Sequence, residues 1–267
     1  MLLSAHLGLY NAVENDFPFV EVVRSVLPVA DEVLLACPPE DHDGTREVCE
    51  TLQRAYPHKV KLHLLDWWDP PVGSISLANV TNYLIEKCKG KWHFSIQADE
   101  VLHENQMSAL LDIIKFGRYD WYELNRFNFF GTFDSYNARL DRWPCSVVRL
   151  AKRELYPIIR SYGDATHLGI LDVDPSPYPR GDMRHALQLW HYSYVRWPSA
   201  YVKRQKDMAN LYGLNEDPRI VKWRNDGRIV WEDMAPFSEN LPIPCAHPKV
   251  MREWIEARRA AVESGML

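Results

Sequence analysis

The stretch HFSIQADEVLHE, His93 to Glu104, decides how the rest of the chain is read. Its first residues alternate as a half-buried strand does, and they run straight into Gln97, Asp99 and Glu100, with His103 and Glu104 close behind. Such a strand either ends in solvent or carries something charged at its tip. Working outward, LLSAHLGLY, EVLLAC and KVKLHLL also read as strands. Between them lie helical patterns: FPFVEVVRSVLPVA with Phe19, Val23 and Val26 on one face, REVCETLQRAY with Thr45 near its N-cap, and SLANVTNYLIEKCKG ending at Gly90. Strands alternating with helices imply right-handed crossovers and a mostly parallel sheet with helices on its faces, an α/β fold of Rossmann-like type. Ligands of such sheets sit at the carboxyl ends of the strands, and Asp99 and Glu100 follow the end of the fourth one.

After Glu104 the pattern turns to α+β. ENQMSALLDIIKFG reads as an amphipathic helix, YDWYELNRFNFFGTF, PCSVVRLAK and ALQLWHYSYV as strands, and DVDPSPYPRGD as a proline-rich loop. PSAYVKRQKDMANLYG and HPKVMREWIEARRAAVESG read as helices, whereas Asn215 to Pro248 matches no clear period and is expected to form a lid or an arm, one able to pack on another subunit as a homo-oligomer contact. The expected organisation is one unit over residues 1–212, with a first half to about residue 104 and a second half from 105, followed by a C-terminal extension over 213–267.

A chain of 267 residues, 46% hydrophobic, can bury a sizeable core, and a net charge of −5 gives no global basic field for indiscriminate nucleic-acid binding. Five cysteines without CxxC spacing argue against both a zinc knuckle and a disulfide framework. No apolar run approaches the roughly 20 residues of a membrane span, so no transmembrane segment is expected, and the reading is of a cytoplasmic protein. HLGLYNAVEND lacks the glycine-rich, basic phosphate loop a nucleotidyltransferase wants.

The ordered set YNAVENDFPFVEVVRSVLPVADEVLLAC, then DGT, then ANVTNYLIEKCKGKWHFSIQADE resembles the nucleotide-sugar-binding half of glycosyltransferase family 2, which has the GT-A fold. The resemblance covers roughly residues 4 to 104 and continues more weakly to about 212. It implies an inverting transferase that moves a sugar from a nucleotide-diphosphate donor, by default a UDP-hexose, to a hydroxyl acceptor on a glycan, a lipid-linked saccharide or, less readily, a hydroxymethylated DNA base. The family's Asp-x-Asp motif falls on Gln97, Ala98 and Asp99, so an amide replaces the first carboxylate, and Glu100 stands where "DADE" members carry a Glu. Carboxylates are needed there because Mn²⁺ or Mg²⁺ neutralises the departing diphosphate and hard cations want oxygen ligands. The resemblance accordingly implies Asp99, Glu100 and His191 as metal ligands.

It also implies Asn11, Glu14, Asp43, Asn82, Gln97, Asp99, Arg149 and Arg196 as donor contacts, the two arginines neutralising the diphosphate. Asn11 and Glu14 could equally serve turn chemistry. Inverting transfer needs a general base, for which Asp164 is the choice, with Glu123, Asp172 and Asp174 competing. The basic run Arg139, Arg142, Arg149, Lys152, Arg153 and Arg160 is either a solvated face or a cradle for an anionic acceptor. Gln97 also keeps open a second class, a non-catalytic nucleotide-sugar or glycan-binding module.

Overall fold

Short, almost wholly buried runs build the centre of the sheet. In the computed structural model the first half of the chain runs β1 (Leu3–Gly8), α1 (Phe19–Val26), β2 (Glu32–Cys37), α2 (Thr45–Ala55), β3 (Val60–Leu64), α3 (Ile75–Lys87) and β4 (Trp92–Ser95). The structure describes residues 1–40, 42–68, 75–137, 145–163, 165, 167–211, 213–234 and 240–266. β2 is buried along its whole length, as a strand covered by helices on both faces must be. β1 pairs in parallel with β2 and with β4, and β2 pairs in parallel with β3, which gives the order β4-β1-β2-β3. On α1, Phe19, Val22, Val23 and Val26 fall on one face at helical spacing and are all buried; each such side chain contributes about 1.5–3 kcal/mol.

The second half follows as β5 (Glu100–Leu102), α4 (Met107–Phe116), β6 (Trp121–Phe130), β7 (Ser135–Asn137), β8 (Ser146–Lys152), β9 (Ile159–Tyr162), β10 (His167–Ile170), β11 (Arg180–Asp182), β12 (Gln188–Tyr194), α5 (Pro198–Leu211), α6 (Pro218–Asp226), β13 (Asn240–Pro242) and α7 (Arg252–Ser264). β8 lies antiparallel between β4 and β6, extending the parallel sheet. β12 runs parallel to β6 and antiparallel to β5, so that His191 stands opposite both Asn128 and Glu100. A mostly parallel core flanked by helices and continued by this mixed part is the Rossmann-like GT-A layout expected from the sequence.

Two regions differ from expectation. The proline-rich loop ends in β11, which pairs with β6. The segment after residue 212 is built into the body: Ile220, Trp223, Ile229, Trp231, Trp254, Ile255 and Val262 share one core with Leu3, Val33 and Phe94, and β13 pairs with β7. Apolar periodicity misses this because much of the packing is done by three tryptophans, one of them, Trp231, in a one-turn segment. Among the described residues no helix is long and apolar enough to cross a membrane.

Candidate active site

The carboxyl ends of β1 and β4 open into a cleft of about 750 Å³, within the roughly 300–1,000 Å³ usual for small-molecule sites. The loop after β1 forms one wall. Asn11 and Asp16 adopt left-handed backbone angles (φ 45° and 53°), which Asn and Asp tolerate better than most residues. The Asp-Gly-Thr motif fastens this loop: Thr45 Oγ1 accepts from Ala12 N (2.8 Å) and Val13 N (3.2 Å), and Asp43 Oδ2 accepts from Glu14 N (2.9 Å) and from the Thr45 hydroxyl (2.9 Å). Tyr10, Asn11 and Trp68 are shared with a second chamber of about 240 Å³, which Pro38, Pro39, Asp43, Arg46 and Asp66 complete. Among the described residues, the buried Asn15 Oδ1 and Trp68 Nε1 in these walls have no hydrogen-bond partner.

Asp99 lies on the floor, 3% exposed. Arg196 Nη2 donates to its Oδ2 (3.2 Å), and its Oδ1 is 3.5 Å from His191 Nε2. Burial opposes ionisation, but His191 and then Arg196 outweigh it and hold the carboxyl well below the usual carboxylate range. Arg196 is itself fully buried: Nη1 donates to Asn15 O (2.6 Å), Nε to Ser193 O (2.8 Å), and its guanidinium lies 4.3 Å from the Phe17 ring. Burial, followed by the charge of Arg204, pushes its pKa down to about 10, which leaves it charged at neutral pH. Burial and Arg126 lower the pKa of His191, so its imidazole is neutral there. Its Nδ1 meets Asn128 Oδ1 at 2.8 Å, which fixes the ring with Nε2 turned towards Asp99.

Glu100, one residue on, is fully buried and has a different fate. Arg149 grips it through Nε (2.9 Å to Oε2) and Nη2 (2.7 Å to Oε1), Arg126 Nη1 adds a contact at 3.3 Å, and Gln97 N donates to Oε2 at 3.0 Å. Burial is outweighed by Arg149 and Arg126, and the carboxyl stays ionised below its ordinary range. A carboxylate so enclosed is closed off from the cleft as a metal ligand, and Arg149, also fully buried, holds Glu100 and Ala165 O rather than facing the cleft.

The expected site residues therefore separate. Asn11, Gln97, Asp99 and His191 line the main cleft and Asp43 the smaller chamber. Glu14 is exposed at the rim, where Lys203 Nζ lies 3.0 Å from its carboxylate. Arg196 sits behind Asp99. Asn82 is committed to the fold, its amide donating to Ser161 O (3.0 Å) and accepting from Ser161 N (2.8 Å). Asp164 lies outside the described residues, as do Arg139 and Arg142. The remaining basic run disperses: Lys152 pairs with Asp120 (2.7 Å) and Arg160 with Asp172 (3.4 Å). Of the competing bases, Glu123 accepts from Ser146 Oγ (2.6 Å), and Asp174 binds Ser176 in an exposed turn.

Sequence reasoning missed three cations of the cleft: Arg126 on β6, and Lys203 and Arg204 on α5. Arg126 Nε has no hydrogen-bond partner among the described residues, and Arg204 rests 5.5 Å from the Phe17 ring on which Arg196 also lies. Lys203 also binds Asp207 (2.7 Å), the second carboxylate that lines the main cleft among the described residues. Only their helical or strand spacing, followed through a correct topology, would have brought these residues together.

A divalent cation fits part of this set. Asp99 Oδ1 and His191 Nε2 form an oxygen and nitrogen pair suited to Mn²⁺, with the imidazole fixed from behind by Asn128. No group of three or more His, Cys, Asp or Glu residues that could hold a metal occurs among the described residues, so the pair needs further oxygens from a ligand or water.

No protein-family model matches the chain, and no curated protein matches it in sequence. Among solved structures it is similar to S. aureus TarS 1-349 in complex with UDP-GlcNAc, at 13% identity over 79% of this chain and 66% of that one, TM-score 0.45. It is also similar to a putative glucose-1-phosphate thymidylyltransferase from Bacillus anthracis (8% identity, 83% of this chain, 99% of that one, TM-score 0.48). A third likeness is to the mannosyltransferase PcManGT from Pyrobaculum calidifontis in complex with GDP-Man and Mn²⁺ (11% identity, 88% of this chain, 66% of that one, TM-score 0.49). The chain thus spans just under two thirds of the TarS fragment and of the mannosyltransferase. At this distance none of them assigns an activity to it.

Proposed function

We propose that the chain is an inverting glycosyltransferase that moves a sugar from a nucleotide-diphosphate donor, UDP-hexose by default, to a hydroxyl on a glycan or lipid-linked saccharide. The observation that carries this reading is an ionised carboxylate, Asp99, beside a neutral imidazole on the floor of a cleft at the carboxyl ends of parallel strands, with Arg126, Lys203 and Arg204 lining the same cleft. The small chamber suits a base, and the larger one a diphosphate and its sugar. Asp99 and His191 would hold Mn²⁺ or Mg²⁺, which supplies charge neutralisation for the departing diphosphate. The cleft cations add to that electrostatic stabilisation, and a closed polar floor strengthens it. The acceptor hydroxyl must lose a proton to a nearby base; Asp207 joins Asp164 as a candidate because it lines the cleft.

One observation favours a second reading, a non-catalytic binding module: with Gln97 an amide and Glu100 enclosed by two arginines, Asp99 is the one carboxylate of the motif left to the cleft. A thermal-shift screen of nucleotide sugars with Mn²⁺, Mg²⁺ or chelator tests both. A donor at 100 times its Kd should add about 2.7 kcal/mol of stability. Stabilisation followed by turnover supports the transferase, stabilisation without turnover under any acceptor supports the module, and no shift with any nucleotide sinks the donor-site reading.

A further inference from the structure

We infer that Arg258, on the C-terminal helix α7, is a positioning residue for Asp99, linked to it through the loop after β1; the inference rests on the proposed reading of Asp99 as a metal-holding group of the cleft. Arg258 lies far along the chain from the motif, yet it clasps Asp16 with Nε at 2.8 Å from Oδ2 and 3.1 Å from Oδ1, and with Nη2 on Oδ1. Its guanidinium is confined by Trp254 at 4.1 Å and Trp197 at 5.7 Å, and Nη1 donates to Trp254 O at 3.0 Å. The same Asp16 Oδ2 accepts from Trp197 N at 2.9 Å, and the neighbouring Asn15 offers its carbonyl to Arg196 Nη1 at 2.6 Å.

Arg196 is therefore held at both ends. Its backbone is tethered through Trp197 to Asp16, and its guanidinium is tethered to Asn15 O while Nη2 reaches Asp99 Oδ2. With Oδ2 fixed, Oδ1 is the oxygen left beside His191. Asp16 is 9% exposed, and its carboxylate is shared between Trp197 N and the Arg258 guanidinium. Loss of Arg258 frees Asp16, then Arg196, and lets the Asp99 carboxylate rotate away from His191. Groups that orient a metal ligand from behind typically matter by about 10- to 100-fold in metal affinity.

The neighbouring Arg259 provides the control: it sits on the same helix but pairs with Asp134 and Glu263 at the surface. The test compares wild type, Arg258→Met, Asp16→Asn, the double variant and Arg259→Met, each first checked for cooperative unfolding. Two readouts are taken: Mn²⁺ titration in the presence of UDP or GDP, and the ring resonances of His191 in metal-free protein. Arg258→Met and Asp16→Asn should each weaken Mn²⁺ binding about tenfold or more, fail to add in the double variant, and displace the His191 resonances. Arg259→Met should do neither. If wild type binds no Mn²⁺, the metal reading fails while the His191 resonances still judge the linkage; unchanged resonances in Arg258→Met relative to Arg259→Met overturn it.

Discussion

Asp99 and Glu100 are neighbours in the chain and opposites in surroundings. Asp99 is held by one buried guanidinium and opens beside His191 to a large cleft, whereas Glu100 is enclosed by Arg149, Arg126 and a backbone amide. Both stay ionised against the cost of burial. The difference teaches that charge in a motif is not by itself function: a carboxylate saturated by two arginines keeps a strand end in place, and one with an oxygen to spare is available for chemistry.

Breaking the enclosed cluster should have the largest effect. Glu100→Gln leaves Arg149 and Arg126 buried without their anion, which should cost about 3–5 kcal/mol of unfolding free energy in urea titration, with the donor site retained in the molecules that stay folded. Asp99→Asn tests the other side of the comparison. Arg196 keeps its two carbonyl partners, so a smaller loss of stability is expected, and turnover should fall about 10²- to 10³-fold, as when one transition-state electrostatic group is removed. Equal losses of turnover per folded molecule in the two variants would erase the distinction.

A third prediction uses acid. His6 Nε2 and His93 Nδ1 are 3.2 Å apart beneath the cleft, and burial pushes the pKa of His93 from 6.5 to about 3. The folded state resists this protonation, so its contribution is complete above pH 6.5 and declines by up to about 1.4 kcal/mol per pH unit towards pH 3. Asp99 and Glu100, with depressed values, contribute above the ordinary carboxylate range and lose that contribution only at still lower pH. Urea midpoints from pH 8 to 4 should fall from about pH 6.5 downward, and His93→Gln should flatten the slope. The smallest effect belongs to the rim: Glu14→Gln breaks a half-exposed pair with Lys203 and should change stability by only about 0.2–1 kcal/mol, an effect that shrinks with salt.

How much of this was legible in the sequence depended on the range of the interaction. The parallel core was readable because β1 to β4 and their helices carry regular periods and stand in chain order. The place of Asp99 on the cleft was readable because it follows the fourth strand. The fates of Glu100 and Arg149 were not, since their mutual contact depends on the placing of β8, and nothing local distinguishes a clasped arginine from a free one. Asn82 misled for the same reason: an amide one helix before the motif meets a ligand or a backbone with equal ease, and here both of its ends bind Ser161. The C-terminal segment looked like an arm because its burial rests on a few tryptophans rather than on a repeating face.

Phe17 carries a last consequence. Two guanidinium groups, Arg196 at 4.3 Å and Arg204 at 5.5 Å, share this one ring, and among the described residues only the first forms an ion pair with a carboxylate. The resting protein thus tolerates like-charge repulsion that a polyanion would relieve. Inorganic pyrophosphate, lacking both base and sugar, should raise the melting temperature more than sulfate at equal ionic strength, and Arg204→Met should abolish the difference.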